Sequence, residues 1–521
     1  MGWLQVMNGG LPMNQGKRIL AHTLVFGLCM ATLAPGMASE AKAKKPKLSA
    51  KTLTLQKGKT KTVKLSRVAK KAKVTWKTNK KATIKLAKKK KKSCQVKGLK
   101  KGTATLTCKV KAGKKTYNLK CRVKVQEQVN TPSIIETYKN MIPNMGAAVN
   151  YGSKAPRELR TDKTLAFIKK HFNSITLENE MKPDNILGSQ AKTLTVAEAK
   201  AAGYYVPETY ADATVPQLNF KEVDGAMEIA AKNGLRMRAH TLVWHSQTPG
   251  WFFTKNYDGS SVVTTEVMDA RLEFYVHNVM AHVMEKEKAL TGNPGTIVYA
   301  WDVVNEYLHR MSFGKVWDSV YGNKGKSPAY VKKAFEVAYQ MLKSYGVQEQ
   351  VTLFYNDYNT YFGVQQTLDL VNFINQDEPE KICRGIGMQS HVDVKVPTVS
   401  QYGDALEKFL AAGYEIQITE LDFTINFDTE GSSASYSYRD ESETNADQKK
   451  FVKSLMETIL TKHKNRNTAV NPKGITSITL WGLYDSTSWR SQCQPLLFGE
   501  SISDPKPSFF AFIEATKVWG K

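Results

Sequence analysis

Over residues 134–521, short β-branched and aromatic runs alternate with amphipathic stretches, and this alternation constrains the fold more than any single motif. The runs are Gly146–Val149, Ser174–Glu178, Arg236–Trp244, Ile297–Asn305, Val351–Tyr355, Gly385–Ser390, Tyr414–Thr419 and Ile475–Trp481. Helical spacing fills the intervals, as in Phe220–Asn233, Ala270–Glu287, Tyr330–Tyr345, Val399–Ala412 and Ala446–His463. A continuous apolar run reads as a strand covered on both faces, and an intervening helix returns the next strand parallel to the last. Eight such strands predict an α/β chain folded as a (β/α)8 barrel. In that architecture the functional groups gather where the strands end.

Two of the runs end on a glutamate: Ile297-Val-Tyr-Ala-Trp-Asp-Val-Val-Asn-Glu306 and Tyr414-Glu-Ile-Gln-Ile-Thr-Glu-Leu-Asp422. A carboxylate is costly to bury without partners, so each marks the rim of a sheet. Paired carboxylates can divide the work of bond cleavage, one donating a proton while the other attacks or activates water. Strand-end charges facing solvent are the plain alternative. The other strand ends weigh against it, since seven of the eight carry polar or aromatic groups at once. They are Glu178-Asn-Glu-Met-Lys-Pro183, His240-Thr-Leu-Val-Trp-His-Ser-Gln247, Trp301–Glu306, Asn356-Asp-Tyr-Asn359, Gln389-Ser-His391, Thr419–Asp422 and Trp481-Gly-Leu-Tyr-Asp-Ser-Thr-Ser-Trp489. Neutral polar groups and indoles around two carboxylates suit a sugar, whose hydroxyls need donors and acceptors and whose C–H face packs on indole. Asp302, inside its strand, reads as a structural group bonded within the barrel. No GxGxxG follows a strand, and there is no Walker loop, CxxC or HExxH, so no cofactor and no metal are expected.

The formal charge of +28 belongs to one segment. Residues 41–125 hold 30 Lys and 2 Arg with no Asp or Glu; of the 75 basic residues in the chain, the 43 elsewhere stand against 47 acids. Nucleic acid is therefore not an expected partner of the barrel. Within 48–125, Leu53/Leu55, Val63/Leu65, Val74/Trp76, Ile84/Leu86, Cys94/Val96, Leu106/Cys108/Val110 and Leu119/Cys121/Val123/Val125 each hold one parity, with Lys and Thr on much of the other. Seven strands of period two predict a small β-sandwich with one dry face per sheet. Parity puts Cys94, Cys108 and Cys121 inside; Cys108 and Cys121 are either a disulfide across a hairpin near Gly113 or buried free thiols. The lysine face is either simply solvated or holds an anionic cell-wall polymer or acidic glycan. Residues 126–133 are polar and turn-prone and read as the linker. At the start, Lys17-Arg18, the apolar Ile19–Ala34 and the small residues at 36–39 have the layout of a signal peptide over 1–39, with Met13 a candidate initiator. A secreted or cell-surface bacterial protein follows, with no nucleic-acid partner, no membrane contact after cleavage and a monomeric state expected.

The blocks Glu178-Asn-Glu-Met-Lys-Pro, His240–Gln247, Trp301–Glu306 and Ile418-Thr-Glu-Leu-Asp422 resemble glycoside hydrolase family 10, the secreted endo-β-1,4-xylanases, in the family's order and over nearly all of 134–521. Val74-Thr-Trp76, Val96-Lys-Gly98 and Lys101-Gly-Thr-Ala-Thr-Leu106 resemble bacterial immunoglobulin-like domains. The first resemblance implies xylan or xylo-oligosaccharide as substrate and a retaining mechanism, with Glu420 as nucleophile and Glu306 as general acid and then base. It implies that His391 and Asp422 tune the nucleophile, that Gln389 partners the acid, and that Asn305 bonds the sugar 2-hydroxyl. Glu178, Asn179, Lys182, His240, Trp244 and Gln247 match glycone-side contacts, and Trp481 and Trp489 match the indoles that wall the site. Bulk from Gln247 and Trp489 would exclude a hydroxymethyl group. Tyr358, Asn359 and Arg490 are assigned to the leaving-group side and the upper rim. Leu187–Leu218 and Phe427–Asp447 are long for the family and are expected on the active-site face. The competing readings are a non-catalytic glycan-binding surface protein and a barrel glycosidase acting on β-1,4-glucan.

Overall fold

The computed structural model describes residues 45–127, 130–152, 156–309, 316–322, 325, 327–427 and 443–520. The leader expected over 1–39 and most of the long segment 427–447 lie outside the described residues. Contacts divide the chain into two compact units, 1–127 and 128–521.

The first unit is a β-sandwich. Its strands are β1 (Lys47–Leu48), β2 (Thr52–Gln56), β3 (Thr60–Ser66), β4 (Lys73–Thr78), β5 (Ile84–Lys90), β6 (Ser93–Gly98), β7 (Gly102–Ala112) and β8 (Lys115–Gln126). They form two four-stranded sheets, β1-β3-β6-β5 and β2-β8-β7-β4. All seven periodic runs are strands; β1, with only two residues, carries no period to read. The alternating residues form a separate core around Val63, Trp76, Ile84, Val96, Leu106 and Val123. The Trp76 indole donates to Lys90 O at 3.0 Å, so its burial leaves no unmet donor. At Gly98 the sheets approach so closely that a Cβ would lie 2.9 Å from both Gln56 O and Val125 Cγ1. Cys108 stands opposite Leu119 and Cys121 opposite Leu106, and both thiols are free and buried. Of the two readings of these cysteines, the free-thiol one holds. Burial pushes the Cys108 thiol up to about 11.

The second unit is a closed barrel. Eight parallel strands run in the order β9 (Asn144–Val149), β10 (Ser174–Leu177), β13 (Arg236–Trp244), β14 (Val298–Asn305), β15 (Thr352–Asp357), β16 (Gly385–Met388), β18 (Glu415–Thr424) and β19 (Ile475–Leu480), which pairs back onto β9. The short β17 (His391–Asp393) adds to the far end of β18. Between them, β11 (Thr193–Thr195) and β12 (Thr214–Pro216) make a hairpin inside the long 187–218 segment. This segment also contains α4 (Val196–Ala201), closed by a Thr195/Glu198 capping box. Numbered with it, the helices are α1 (Ile134–Tyr138), α2 (Asp162–His171), α3 (Pro183–Leu187), α5 (Lys221–Asn233), α6 (Thr265–Thr291), α7 (Val316–Tyr321), α8 (Ala329–Ser344), α9 (Val364–Asn375), α10 (Val399–Ala411), α11 (Asn445–Asn465) and α12 (Pro507–Glu514). In the 187–218 segment, Gly188 O accepts from Trp251 Nε1 of the connection after β13 at 3.1 Å, and the second half docks on α6. Tyr205 N donates to Asn278 Oδ1 at 2.9 Å, the Tyr205 ring stacks on His277 at 4.1 Å, and Asp212 takes a two-pronged bond from buried Arg271.

Three barrel strands carry bulges just short of their functional ends. Between Ile418 and Leu421 β18 spends one more residue than β19, and β13 does the same against β14 between His240 and Val243. A further extra residue lies in β14 against β15 between Asp302 and Val304. A bulge reverses strand parity. Thr419 Oγ1 bonds Asn356 inside the barrel at 2.6 Å, and the bulge lets Glu420 and Asp422 face the same site.

Beneath that site the interior is polar. The Arg238 guanidinium grips Asp302 with two hydrogen bonds and donates to Gln417 Oε1 at 2.8 Å, all fully buried. Asp302 also bonds His240 Nδ1 at 2.8 Å, so its structural reading holds. Removing one partner of a buried pair strands the other charge. Asp302→Ala should cost about 3–5 kcal/mol in denaturant unfolding, whereas Asp302→Leu combined with Arg238→Met should cost much less. Equal losses would show that the pair is not what Asp302 is buried for.

Candidate active site

Glu306 follows β14 directly, at φ 59°, and its N–H donates to Asn356 O at 2.8 Å. Gln247, Asn359 and Ser390, at or near the ends of β13, β15 and β16, share left-handed φ values of 46°, 52° and 62°. Such backbone costs roughly 1–3 kcal/mol per non-glycine residue and persists where surrounding bonds over-determine it. Each turns the chain sharply as it leaves the barrel.

Two carboxamides link the carboxylates. Gln389 Nε2 donates to Glu306 Oε1 at 2.8 Å and to Asn305 Oδ1 at 3.3 Å. Asn356 Nδ2 donates to the same Asn305 oxygen at 2.9 Å and to Glu420 Oε1 at 2.9 Å. Glu306 Oε2 further accepts from Trp244 Nε1 at 2.8 Å, with His245 Nε2 at 3.9 Å. On the other side His391 joins Glu420 Oε2 at 3.2 Å to Asp422 Oδ2 at 2.8 Å. Trp489 Nε1 donates to Asp422 at 3.2 Å, and the Arg490 guanidinium, 3.6 Å from Asp422, lies against the rings of Trp489 and Phe427. Arg490 was assigned to the upper rim; its contacts belong to the His391–Asp422 support.

Burial and unequal partners give the carboxyls opposite proton affinities. Burial pushes Glu306 up to about 7, aided by the charges of Asp357 and Glu420 and only partly offset by the bonds from Gln389 and Trp244. Burial pushes Glu420 up too, but the His391 bond and the fields of His240, His391 and Lys182 more than reverse it, to about 2. Burial lowers the affinity of His391, and its bonds to Asp422 and Glu420 raise it above the ordinary imidazole range.

The remaining candidates form a second web beside the first. Asn150 Nδ2 donates to Glu178 Oε2 at 2.6 Å and Asn150 Oδ1 accepts from Asn179 at 3.3 Å. Gln247 bridges Asn179 and Asp184 through one amide nitrogen, at 3.4 and 3.3 Å, and accepts from Lys182 Nζ at 3.0 Å. Lys182 also lies 4.9 Å over the Trp244 ring. His240 and Trp481 meet edge-on at 5.6 Å; both are buried, while Trp489 is 39% exposed. Tyr358 stacks on His309 at 4.4 Å, and Asn359 Oδ1 accepts from Tyr361 OH at 2.8 Å. Among the described residues no cluster of His, Cys, Asp and Glu has the arrangement of a metal site.

Sequence reasoning placed Asn356 and Asp357 in a polar strand-end block without giving either a role, and it passed over Asn150 and His309, whose Nδ1 lies 2.9 Å from Asp357 Oδ1. Asn356 lies inside the barrel. It stands two residues after Phe354, whose ring faces Arg238 inside the barrel, so strand parity puts it on the same side. Room for it comes from Gly387, where a Cβ would lie 2.4 Å from Asn356 Oδ1.

Known proteins are similar to this chain. The family described as Glycosyl hydrolase family 10 matches residues 133–515. Endo-1,4-β-xylanase A of Butyrivibrio fibrisolvens is 42% identical over 387 residues, 73% of this chain and 86% of that protein. Endo-1,4-β-xylanase B of the same organism is 33% identical over 366 residues, and the match spans 68% of this chain but only 50% of that longer protein. A crystal structure of a bacterial Ig-like domain containing GH10 xylanase from termite gut covers 90% of this chain and 99% of its own, with a TM-score of 0.55 at 22% identity, and so speaks to the fold. Two carboxylates of opposed proton affinity at the mouth of a (β/α)8 barrel, and a family match over residues 133–515, make this chain a member of glycosyl hydrolase family 10.

Proposed function

We propose that the chain is an endo-1,4-β-xylanase that hydrolyses internal β-1,4-xylosidic bonds with net retention. The observation that carries this is the pair of buried carboxyls joined through Gln389, Asn305 and Asn356, in which burial raises Glu306 to about 7 while the His391 bond and nearby cations hold Glu420 ionised. Glu420 attacks the anomeric carbon and Glu306 protonates the departing oxygen; water, deprotonated by Glu306, then releases the glycosyl-enzyme. Asn305, held by Gln389 and Asn356, is ready to bond the 2-hydroxyl of the sugar at the cleavage point. Lys182, Gln247, Asn179 and Glu178 supply donors and acceptors for glycone hydroxyls. Trp489, fixed by Asp422 and Arg490, is a wall that a hydroxymethyl group would meet, which favours xylose over glucose. Export through the 1–39 leader completes the proposal and is checked by N-terminal sequencing of protein recovered outside the cell.

Proton NMR of the first products should show the β-anomer; an initial α-anomer would replace retention with inversion. Glu420→Ala should lower turnover of xylan and of activated aryl glycosides alike, by roughly four orders of magnitude. Glu306→Ala should slow xylan hydrolysis by about 10²–10⁴-fold and leave dinitrophenyl glycosides within about tenfold in glycosylation, because a good leaving group needs no proton. The rate should fall as pH rises through about 7, where Glu306 loses its proton, and hold on the acid side toward about 2, where Glu420 gains one. Loss of the alkaline limb in Glu306→Ala ties it to that residue; an unchanged limb would remove the assignment. Release of reducing sugar from xylan should far exceed that from carboxymethylcellulose, and the reverse order would make the chain a β-1,4-glucanase.

A further inference from the structure

The two outer faces of the β-sandwich differ in charge. Along β8 the outward side chains include Lys120, Arg122 and Lys124, and opposite them on β7 stand Thr107, Thr105 and Thr103. Lys109 and Lys111 on β7 and Lys73 and Lys77 on β4 continue the same face. Their neighbours along each strand, such as Cys108, Val110, Cys121 and Val123, are buried in the core, so these side chains point away from it. The opposite sheet β1-β3-β6-β5 is smaller and presents Lys47, Lys64, Lys85, Lys97 and Lys90 at its paired outward positions, five cations against the seven of the first face. No acidic residue occurs anywhere in 41–126, so residues 41–126 cannot neutralise the larger face from within.

Threonine separates most of these cations across the strands, which limits the penalty of like charges placed opposite one another; Lys73 and Lys111 are the directly facing pair. Along one strand the cations recur about every 7 Å. That is inside the screening length of about 8 Å at physiological salt, so their fields add. The face bears no aromatic side chain among the described residues, which removes the stacking that single-stranded nucleic acids and neutral sugar rings use. What it offers is a flat lattice of ammonium groups and hydroxyls. Ammonium groups meet anions, and threonine hydroxyls donate to and accept from sugar hydroxyls.

We propose that the β2-β8-β7-β4 face is a docking surface for a carboxylated polysaccharide, a β-1,4-xylan bearing uronate side groups. The xylan backbone in this statement rests on the activity proposed above; the docking of carboxylates does not. Attachment to a decorated chain raises the effective concentration of that polymer at the tethered barrel without any new contact in the cleft.

The test uses the full chain carrying Glu306→Ala and Glu420→Ala, so that binding is read without turnover. Affinity electrophoresis compares uronate-bearing xylan with the same polymer after reduction of its carboxyls to alcohols. Lys109→Glu/Lys120→Glu/Arg122→Glu should weaken binding at least about tenfold, and Lys64→Glu/Lys85→Glu/Lys97→Glu less than about threefold. Carboxyl reduction and a rise from about 20 to 300 mM salt should each abolish most of the retention. Both triple variants, made with the two glutamates intact, should hydrolyse a small aryl xylobioside at the unaltered rate; failure of every protein in that assay would sink the xylanase reading and leave the docking result standing. Equal weakening by the two triples would reduce the face to a solvated charge. Undiminished binding to the reduced polymer, or tighter binding to poly(glycerol phosphate) or duplex DNA, would overturn the carboxylate assignment.

Discussion

Two carboxyl groups buried at one barrel mouth must differ in protonation, because two adjacent anions cannot both be held away from water cheaply. The rest of the site is arranged to decide which one keeps the proton. His391, backed by Asp422, and the charge of Lys182 fall on the Glu420 side. Glu306 takes its hydrogen bonds from the neutral donors Gln389 and Trp244 and feels the repulsion of Asp357 and Glu420. Asn305 sits between them with its oxygen saturated by two amides. This directs whatever it offers a substrate to its own nitrogen.

The barrel supports this arrangement through its polar interior. Arg238, Asp302 and Gln417 fill the layer below the site with charges that satisfy one another. Asp302 then orients His240, and Gly387 leaves the space that Asn356 occupies. Core and site are thus continuous along the barrel axis. The left-handed backbone at Gln247, Glu306, Asn359 and Ser390 sits where that continuity ends and the loops begin. The sandwich is built on the opposite plan, an apolar centre with its charge outside, which is why its parity could be read so simply.

Much of both units was legible. Period-two alternation found the seven long strands of the sandwich because one side of each is dry, and β-branched runs found all eight barrel strands because both sides are covered. Strand ends were less legible. β18 was read as ending at Thr419, and it runs on to Thr424 through a bulge that strict alternation cannot anticipate. The five helical runs named from the sequence match α5, α6, α8, α10 and α11; the other seven helices among the described residues were not named, nor was the β11–β12 hairpin, whose three-residue strands are too short to show a period. Asn356 was read only as part of a strand-end block, because a neutral amide carries no charge signal; its reach to both Asn305 and Glu420 gives it a role.

The sequence by itself determined the strand–helix order, the division between a basic module and a slightly acidic barrel, and the two glutamates that end or interrupt apolar strands. Those are properties of residue type and spacing, which burial and periodicity translate directly. Only the tertiary structure decided which groups share a proton and which withhold one. That depends on bonds between side chains as far apart in the chain as Asn305 and Gln389, or Asn356 and Glu420, and on bulges that turn a strand by one residue. Local sequence carries no information about such distances, because closing the barrel is what brings these atoms within reach of one another.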